Sequence, residues 1–246
     1  MLRTRRQRER LPFLHLLPSL VTIIGLTAGL TAIRSAFAGN FALAAALILI
    51  AAVLDGLDGL LARRLGSASP FGAELDSLCD FVDFGVAPGI LVYEMTLGGA
   101  RDIGWVLAMV YITCCCLRLA RFNVNRDAPT GGKAPHFVGV PAPAGALLAM
   151  LPVFLALSEL ADPAALPLLV AAWLGIVGLL MVSRLPTFSP KSLQIPRDKV
   201  RWVLVATAIM VGLGFTRFWL MMVLVVAIYG LTLVRSAVLT RLRPRA

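Results

Sequence analysis

Eight long apolar segments recur along the chain, and they constrain its fold more than any other feature. They lie at residues 14–34, 41–64, 71–95, 103–122, 140–159, 164–184, 199–215 and 217–236. A helix of about 20 apolar residues is long enough to cross the hydrocarbon core of a bilayer. Because 59% of the residues are hydrophobic, no stretch is polar enough to form a separate soluble domain. The sequence therefore predicts an all-α polytopic membrane protein with about eight transmembrane helices.

The basic residues are distributed unevenly among the connections between these segments. If the N-terminus is cytoplasmic, all but three of the 23 Lys and Arg residues fall on the cytoplasmic side, the exceptions being Arg34, Arg101 and Arg217. Short cytoplasmic loops of membrane proteins carry such an excess of basic residues. We therefore expect both termini to be cytoplasmic. The same distribution accounts for the formal net charge of +10 without a basic groove, so we expect no nucleic-acid partner.

Four aspartates interrupt this apolar sequence. A carboxylate at the centre of a bilayer costs about 2.5–3.5 kcal/mol, so four of them require compensation on the order of 10 kcal/mol. Asp55 and Asp58 are three residues apart, and Asp76 and Asp80 are four apart, so each pair shares a helix face. The connection at residues 66–70 is rich in turn formers. This spacing predicts two adjacent antiparallel helices with four carboxylates converging between them.

The residue types around these carboxylates indicate the chemistry of a phosphate site. An all-oxygen ligand set favours hard cations, so we expect two divalent cations, Mg²⁺ or Mn²⁺, held by Asp55, Asp58, Asp76 and Asp80. Two-metal sites suit in-line displacement at phosphorus. The small residues Gly59 and Ala62 follow Asp58 on the same helix and let a ligand approach the backbone. Arg63 adds a planar guanidinium group whose paired N–H donors suit phosphate oxygens.

The whole run resembles the motif of one enzyme family, the CDP-alcohol phosphotransferases. The matching positions, without a gap, are Asp55-x2-Asp58-Gly59-x2-Ala62-Arg63-x8-Gly72-x3-Asp76-x3-Asp80. Further stretches resemble the branch of the family that uses serine: PSLVTIIGLTAGLTAIR, FGAELDSLCDFVDFGVAP, LRLARFNV, FVGVPAPAGA and SRLPTFSPK. The chain departs from the family at two positions of the first stretch. Ser19 and Gly25 stand where the family often has asparagine.

The resemblance implies a function and a domain organisation. The expected reaction transfers the phosphatidyl group from CDP-diacylglycerol to L-serine and gives phosphatidylserine and CMP. Residues 14–236 would form the CDP-alcohol phosphotransferase membrane domain, between a basic cytoplasmic segment, 1–13, and a basic cytoplasmic tail, 237–246. We expect a homodimer in the bacterial inner (cytoplasmic) membrane.

The resemblance also assigns roles to individual residues. Asp80 is expected to be the catalytic base as well as a metal ligand, and Gly59, Ala62, Arg63 and Gly72 are expected to bind CDP-diacylglycerol. Arg118 and Arg121 are our candidates for serine binding, because both lie at the cytoplasmic end of the fourth segment and share a helix face. The predicted orientation places the aspartates near the same end, so the active-site cavity is expected to open to the cytosol.

Two alternatives remain open from the sequence. The core motif is compatible with the same chemistry on another acceptor, such as glycerol 3-phosphate, inositol phosphate or choline. A different class, a cation-coupled membrane transporter, would also place carboxylates inside the membrane. Transporters of that kind often contain inverted repeats with broken helices, which this sequence does not display.

Overall fold

The computed structural model describes residues 13–67, 69–126, 139–183 and 200–242, which are helical apart from short turns and contain no strand. This confirms the all-α prediction for these ranges. The α-helices are α1 (Leu17–Phe37), α2 (Phe41–Leu65), α3 (Pro70–Asp80), α4 (Ala87–Thr96), α5 (Arg101–Arg126), α6 (Ala142–Ala149), α7 (Leu151–Leu157), α8 (Pro167–Val182), α9 (Val200–Thr216) and α10 (Phe218–Leu242). Short 3₁₀ turns lie at Phe13–Leu16, Gly98–Ala100 and Pro163–Ala165.

Helices cover all eight apolar segments within the described residues. A π-helical segment at Phe81–Val86 joins α3 to α4, and α6 and α7 together cover the fifth predicted segment. By length and composition alone, four helices are suited to cross a membrane: Leu14–Phe37, Phe41–Leu65, Asp102–Val124 and Phe218–Arg235. These four fit an integral membrane protein, and the count of eight crossings stays a prediction.

The predicted terminal regions lie largely outside the described residues. This applies to residues 1–12 of the basic N-terminal segment and to the last four residues of the tail. Helix α10 continues to Leu242, beyond the predicted end of the membrane domain at residue 236. Residues 127–138 and 184–199, which contain parts of two of the stretches that resemble the family, are also outside the described ranges.

Local capping explains the turn between α2 and α3. Gly66 ends α2 in the left-handed region at φ 59°, a conformation that glycine adopts without steric cost. Ser69 then caps α3, because its Oγ accepts a hydrogen bond of 3.0 Å from the backbone N–H of Gly72. Pro70 occupies the start of α3, where a missing N–H is harmless. The short turn brings the aspartates of the two helices close together.

Two prolines interrupt regular helices, and each interruption is stabilised from a neighbouring helix. Pro88 has no N–H for the carbonyl of Phe84, four residues earlier, and the hydroxyl of the fully buried Tyr111 donates to that carbonyl at 2.6 Å. Pro152 likewise leaves the Leu148 carbonyl without its helical donor, and Trp173 Nε1 donates to it at 2.8 Å. The first of these contacts fixes the π-helical segment directly after Asp80.

Close helix packing places the site between α1, α2 and α3. Helix α1 packs along α2 and contacts both α3 and the π-helical segment, while α5 packs along α8. The buried core, which includes Phe84, Tyr111 and Phe154, lies beside this group of helices. The aspartates therefore lie next to a packed apolar interior.

Candidate functional site

Three of the four predicted metal ligands converge. Asp55 from α2 and Asp76 and Asp80 from α3 each offer one carboxylate oxygen, and these oxygens all lie within 4.8 Å of one another. Opposite ligands of an octahedral Mg²⁺ are about 4.2 Å apart, since each lies about 2.1 Å from the ion. A small rotation of the side chains would meet that distance. The donor set and its spacing therefore fit a hard divalent cation.

The fourth aspartate, Asp58, lies outside this three-carboxylate group and is held by α1. Only 5% of its surface is exposed, and its Oδ2 lies 2.5 Å from the hydroxyl of Thr22. The same hydroxyl lies 3.0 Å from the Pro18 carbonyl. The hydroxyl has one proton, and the carboxylate of Asp58 is the closer of the two acceptors, so Thr22 orients Asp58. Sequence analysis missed Thr22, although it lies in the first stretch that resembles the family.

A cavity of about 200 Å³ adjoins the carboxylates at the ends of α1, α2 and α3. Its lining contains all four residues expected to bind CDP-diacylglycerol, namely Gly59, Ala62, Arg63 and Gly72, together with Asp58 and Asp76. A side chain at position 72 would lie 3.2 Å from Ser69 Oγ, and one at position 59 would lie 3.5 Å from the Arg63 guanidinium. A side chain at position 72 would therefore crowd the Ser69 hydroxyl that caps α3, whereas one at position 59 would only contact Arg63.

Two further residues line the same cavity from the start of α1. These are His15 and Ser19. Ser19 stands at one of the two positions where the family often has asparagine. This difference from the family was the sequence feature that could have indicated Ser19 as a site residue.

The two serine-binding candidates have different surroundings. Arg118 is close enough to Asp80 for an electrostatic interaction, and it interacts in the same way with Tyr229 of α10. Arg121 instead donates from Nη1 to the Val182 carbonyl at 2.8 Å and from Nη2 to the Ser183 carbonyl at 3.4 Å. These carbonyls lie at the end of α8, where a cation is favourable. Arg121 thus connects α5 to α8, whereas Arg118 lies beside the carboxylates.

A polar contact between α3 and α5 lies next to Asp76. Ser77 Oγ lies 3.0 Å from Asn123 Oδ1, and Asn123 Nδ2 lies 3.5 Å from Glu74 Oε2. These bonds hold the part of α3 that carries Asp76. The contact with Asn123 also gives Glu74 a partner on α5. Asn123 belongs to the stretch LRLARFNV, which resembles the family.

Comparison with known proteins agrees with this geometry. A family model described as CDP-alcohol phosphatidyltransferase matches residues 15–182, which include all of the site residues above except Ser183 and Tyr229. Similar proteins with the name CDP-diacylglycerol–serine O-phosphatidyltransferase occur in Mycobacterium leprae, Mycobacterium bovis and Helicobacter pylori.

The extent of similarity differs among these three relatives. The M. leprae protein is 40% identical over 195 residues, which are 78% of this chain and 65% of the relative. The M. bovis protein is 48% identical over 136 residues, 54% of this chain and 47% of the relative. The H. pylori protein is 33% identical over 210 residues, 83% of each chain. The matches thus span about two thirds or less of the mycobacterial relatives, but most of the H. pylori protein. The family model covers more than half of the chain, and the chain belongs to the CDP-alcohol phosphatidyltransferase family.

Proposed function

We propose that the protein transfers the phosphatidyl group of CDP-diacylglycerol to L-serine, giving phosphatidylserine and CMP. The observation that carries this proposal is the group of Asp55, Asp76 and Asp80 beside a cavity lined by the family's nucleotide-binding positions. The names of the relatives favour serine as the acceptor. No observation favours another acceptor or a cation-coupled transporter.

Divalent cations belong to the chemistry of this family, and the carboxylates supply suitable ligands. Asp55, Asp76 and Asp80 would hold one ion, and Asp58 would complete a set of four ligands for two ions, Mg²⁺ or Mn²⁺. When bound, such ions neutralise the diphosphate and polarise the phosphorus under attack.

The remaining steps belong to residues of this chain. Gly59, Ala62, Arg63 and Gly72 bind the CDP part of the lipid, with Arg63 directed at phosphate oxygens. Asp80 accepts the proton of the serine hydroxyl while the hydroxyl oxygen forms a bond to the lipid-side phosphorus. The bond between this phosphorus and the bridging oxygen of CMP breaks, and CMP leaves with the electron pair. Of the two serine-binding candidates, Arg118 lies beside Asp80 and binds the serine carboxylate, whereas Arg121 donates to the carbonyls at the end of α8 and supports this end of α5.

The membrane arrangement is part of the proposal. The chain crosses the bacterial inner membrane eight times, keeps both termini in the cytoplasm and forms a homodimer. The asymmetry of the basic residues supports this orientation. The cavity then opens to the cytosol, where serine is dissolved, and the acyl chains of CDP-diacylglycerol stay in the bilayer.

CMP release by the purified protein tests the proposed function. With CDP-diacylglycerol and Mn²⁺ or Mg²⁺, we expect release to depend on L-serine and to stop in excess chelator. Glycerol 3-phosphate, inositol phosphate and choline are the comparison acceptors, and each should give little release. Activity with one of these instead of serine would replace the proposed acceptor. Full activity in excess chelator would contradict the metal site.

Replacing Thr22 by valine tests how Asp58 is held. Valine has the shape of threonine without the hydroxyl, so Asp58 loses the contact of 2.5 Å. We expect the Mn²⁺ concentration for half-maximal activity to rise about 10- to 100-fold, the usual effect of losing a group that orients a metal ligand. Thr22→Ser keeps the hydroxyl and should stay close to the unchanged protein. An unaltered Mn²⁺ requirement in Thr22→Val would show that this contact does not orient Asp58.

A further inference from the structure

The two side chains proposed to act on serine are carried by helices that pack against different neighbours. Helix α3, which ends at Asp80, packs chiefly against α1, whereas α5, which carries Arg118, packs chiefly against α8. Asp80 and Arg118 nevertheless lie close enough for an electrostatic interaction. One serine molecule can reach both side chains only if the two helices keep a fixed register. The contacts that join these two parts of the chain therefore bear on acceptor binding.

Hydrogen bonds join the two parts on either side of this pair. Near the end of α5, Ser77 Oγ lies 3.0 Å from Asn123 Oδ1. Nearer its start, the hydroxyl of Tyr111 donates at 2.6 Å to a carbonyl of the π-helical segment that follows α3. Along the first part, Asp80 lies between Ser77 and the π-helical segment. Along α5, Arg118 lies between Tyr111 and Asn123. The two parts thus run in opposite directions, and the two contacts bracket the pair.

The two bracketing contacts have different surroundings. Tyr111 is fully buried, and its hydroxyl serves a carbonyl that a proline leaves without a helical donor, so its replacement would disturb the fold itself. Asn123 is only partly buried and lies outside the lining of the cavity assigned to CDP-diacylglycerol. Its Nδ2 lies 3.5 Å from Glu74 Oε2, so both ends of its amide face α3. Asn123 thus contacts α3 without contacting the nucleotide cavity.

We propose that Asn123 is a positioning residue for the acceptor, which holds α5 in register with α3 so that Arg118 meets the carboxylate of a serine whose hydroxyl faces Asp80. This inference rests on the proposed function, since serine supplies both groups. Asn123 acts through Arg118 and does not itself touch the substrate. Its loss should therefore weaken serine binding and spare nucleotide binding.

Asn123→Ala tests this role in steady-state CMP release. We expect the KM for serine to rise about 3- to 10-fold, the usual effect of losing one hydrogen bond, and the KM for CDP-diacylglycerol to change little. Ser77→Ala removes the same contact from the other side and should have the same effect. In Asn123→Ala the Ser77 hydroxyl keeps a contact of 3.1 Å with the Ala73 carbonyl, so no unpaired donor remains. Thermal unfolding in detergent should therefore show a folded protein.

Arg118→Ala separates positioning from a general effect on the fold. If Asn123 acts through Arg118, Asn123→Ala should lower kcat/KM for serine much less in the Arg118→Ala background than in the unchanged protein. Val124→Ala is the matched control, because this neighbouring side chain on α5 is 73% exposed. It should leave both KM values unchanged.

Three results would overturn the positioning role. They are an unchanged serine KM in both Asn123→Ala and Ser77→Ala, an equal rise in the KM for CDP-diacylglycerol, and the full effect of Asn123→Ala in the absence of Arg118. If the unchanged protein uses another acceptor, the proposed acceptor is wrong. The same variants, measured on the KM of that acceptor, then decide the positioning role separately.

Discussion

Asp80→Asn is expected to lower kcat for CMP release about 10²- to 10⁴-fold, because an amide cannot accept the proton of the serine hydroxyl. The KM for CDP-diacylglycerol should change little, since the cavity that adjoins the carboxylates is lined by other residues. Steady-state kinetics at saturating serine and Mn²⁺ would measure both constants. Glu94→Gln on α4 is a control, because this exposed acid lies outside the site.

Asp76→Asn separates the two roles proposed for Asp80. Asp76 belongs to the same three-carboxylate group but is not proposed to accept a proton. Its loss should weaken cation binding and leave the base in place. Raising the Mn²⁺ concentration should therefore restore part of the activity of Asp76→Asn and almost none of that of Asp80→Asn. Full recovery of Asp80→Asn at high Mn²⁺ would show that Asp80 is a ligand and not the base.

The carboxylate cluster shows how far spacing alone can predict a site. The i, i+3 and i, i+4 pairs, with a short turn between them, were enough to bring Asp55, Asp76 and Asp80 together. Spacing on α2 and α3 did not indicate which residue orients Asp58. Its position depends on Thr22, which is 36 residues away on α1. Contacts between distant parts of the chain decide such details.

The same limit applies to the helices. Apolar length predicted helical segments well, because a chain in a bilayer must satisfy its backbone hydrogen bonds internally. The π-helical segment could not be predicted, although Pro88 is visible in the sequence. Pro88 cannot donate to the Phe84 carbonyl, and the hydroxyl of Tyr111, 27 residues further along the chain, donates to it instead. The break between α6 and α7 likewise involves Trp173, 25 residues beyond the carbonyl it contacts.

Arg118 and Arg121 lie on the same face of α5 but contact different groups. Their i, i+3 spacing places Arg118 and Arg121 on one side of the helix. Arg121 nevertheless reaches the carbonyls at the end of α8, and Arg118 lies near Asp80. The proximity of α8 to this end of α5 is a property of the folded chain. Helix spacing therefore predicted the face and not the contacts.

Gly29→Ala is expected to destabilise the protein strongly. The added methyl group would overlap the Asp83 carboxylate and would lie 3.4 Å from the Asp83 Cα, so the buried carboxylate or the two segments would have to move. Overpacking of this kind costs about 1–3 kcal/mol and sometimes more. We expect the midpoint of thermal unfolding in detergent to fall by about 5 °C or more, with loss of CMP release. Gly212→Ala, with no neighbour within 4 Å, should leave the midpoint almost unchanged.

Asp83→Ala in the Gly29→Ala background tests whether this overlap is the cause. Removing the carboxylate makes room for the new methyl group, so the double variant should unfold at a higher temperature than Gly29→Ala alone. The two changes should therefore be non-additive, as expected for residues in direct contact. Thermal unfolding is the measurement, because it reports the packing of α1 against Asp83 whether or not the double variant releases CMP. Strictly additive effects of the two substitutions would contradict a direct contact between α1 and Asp83.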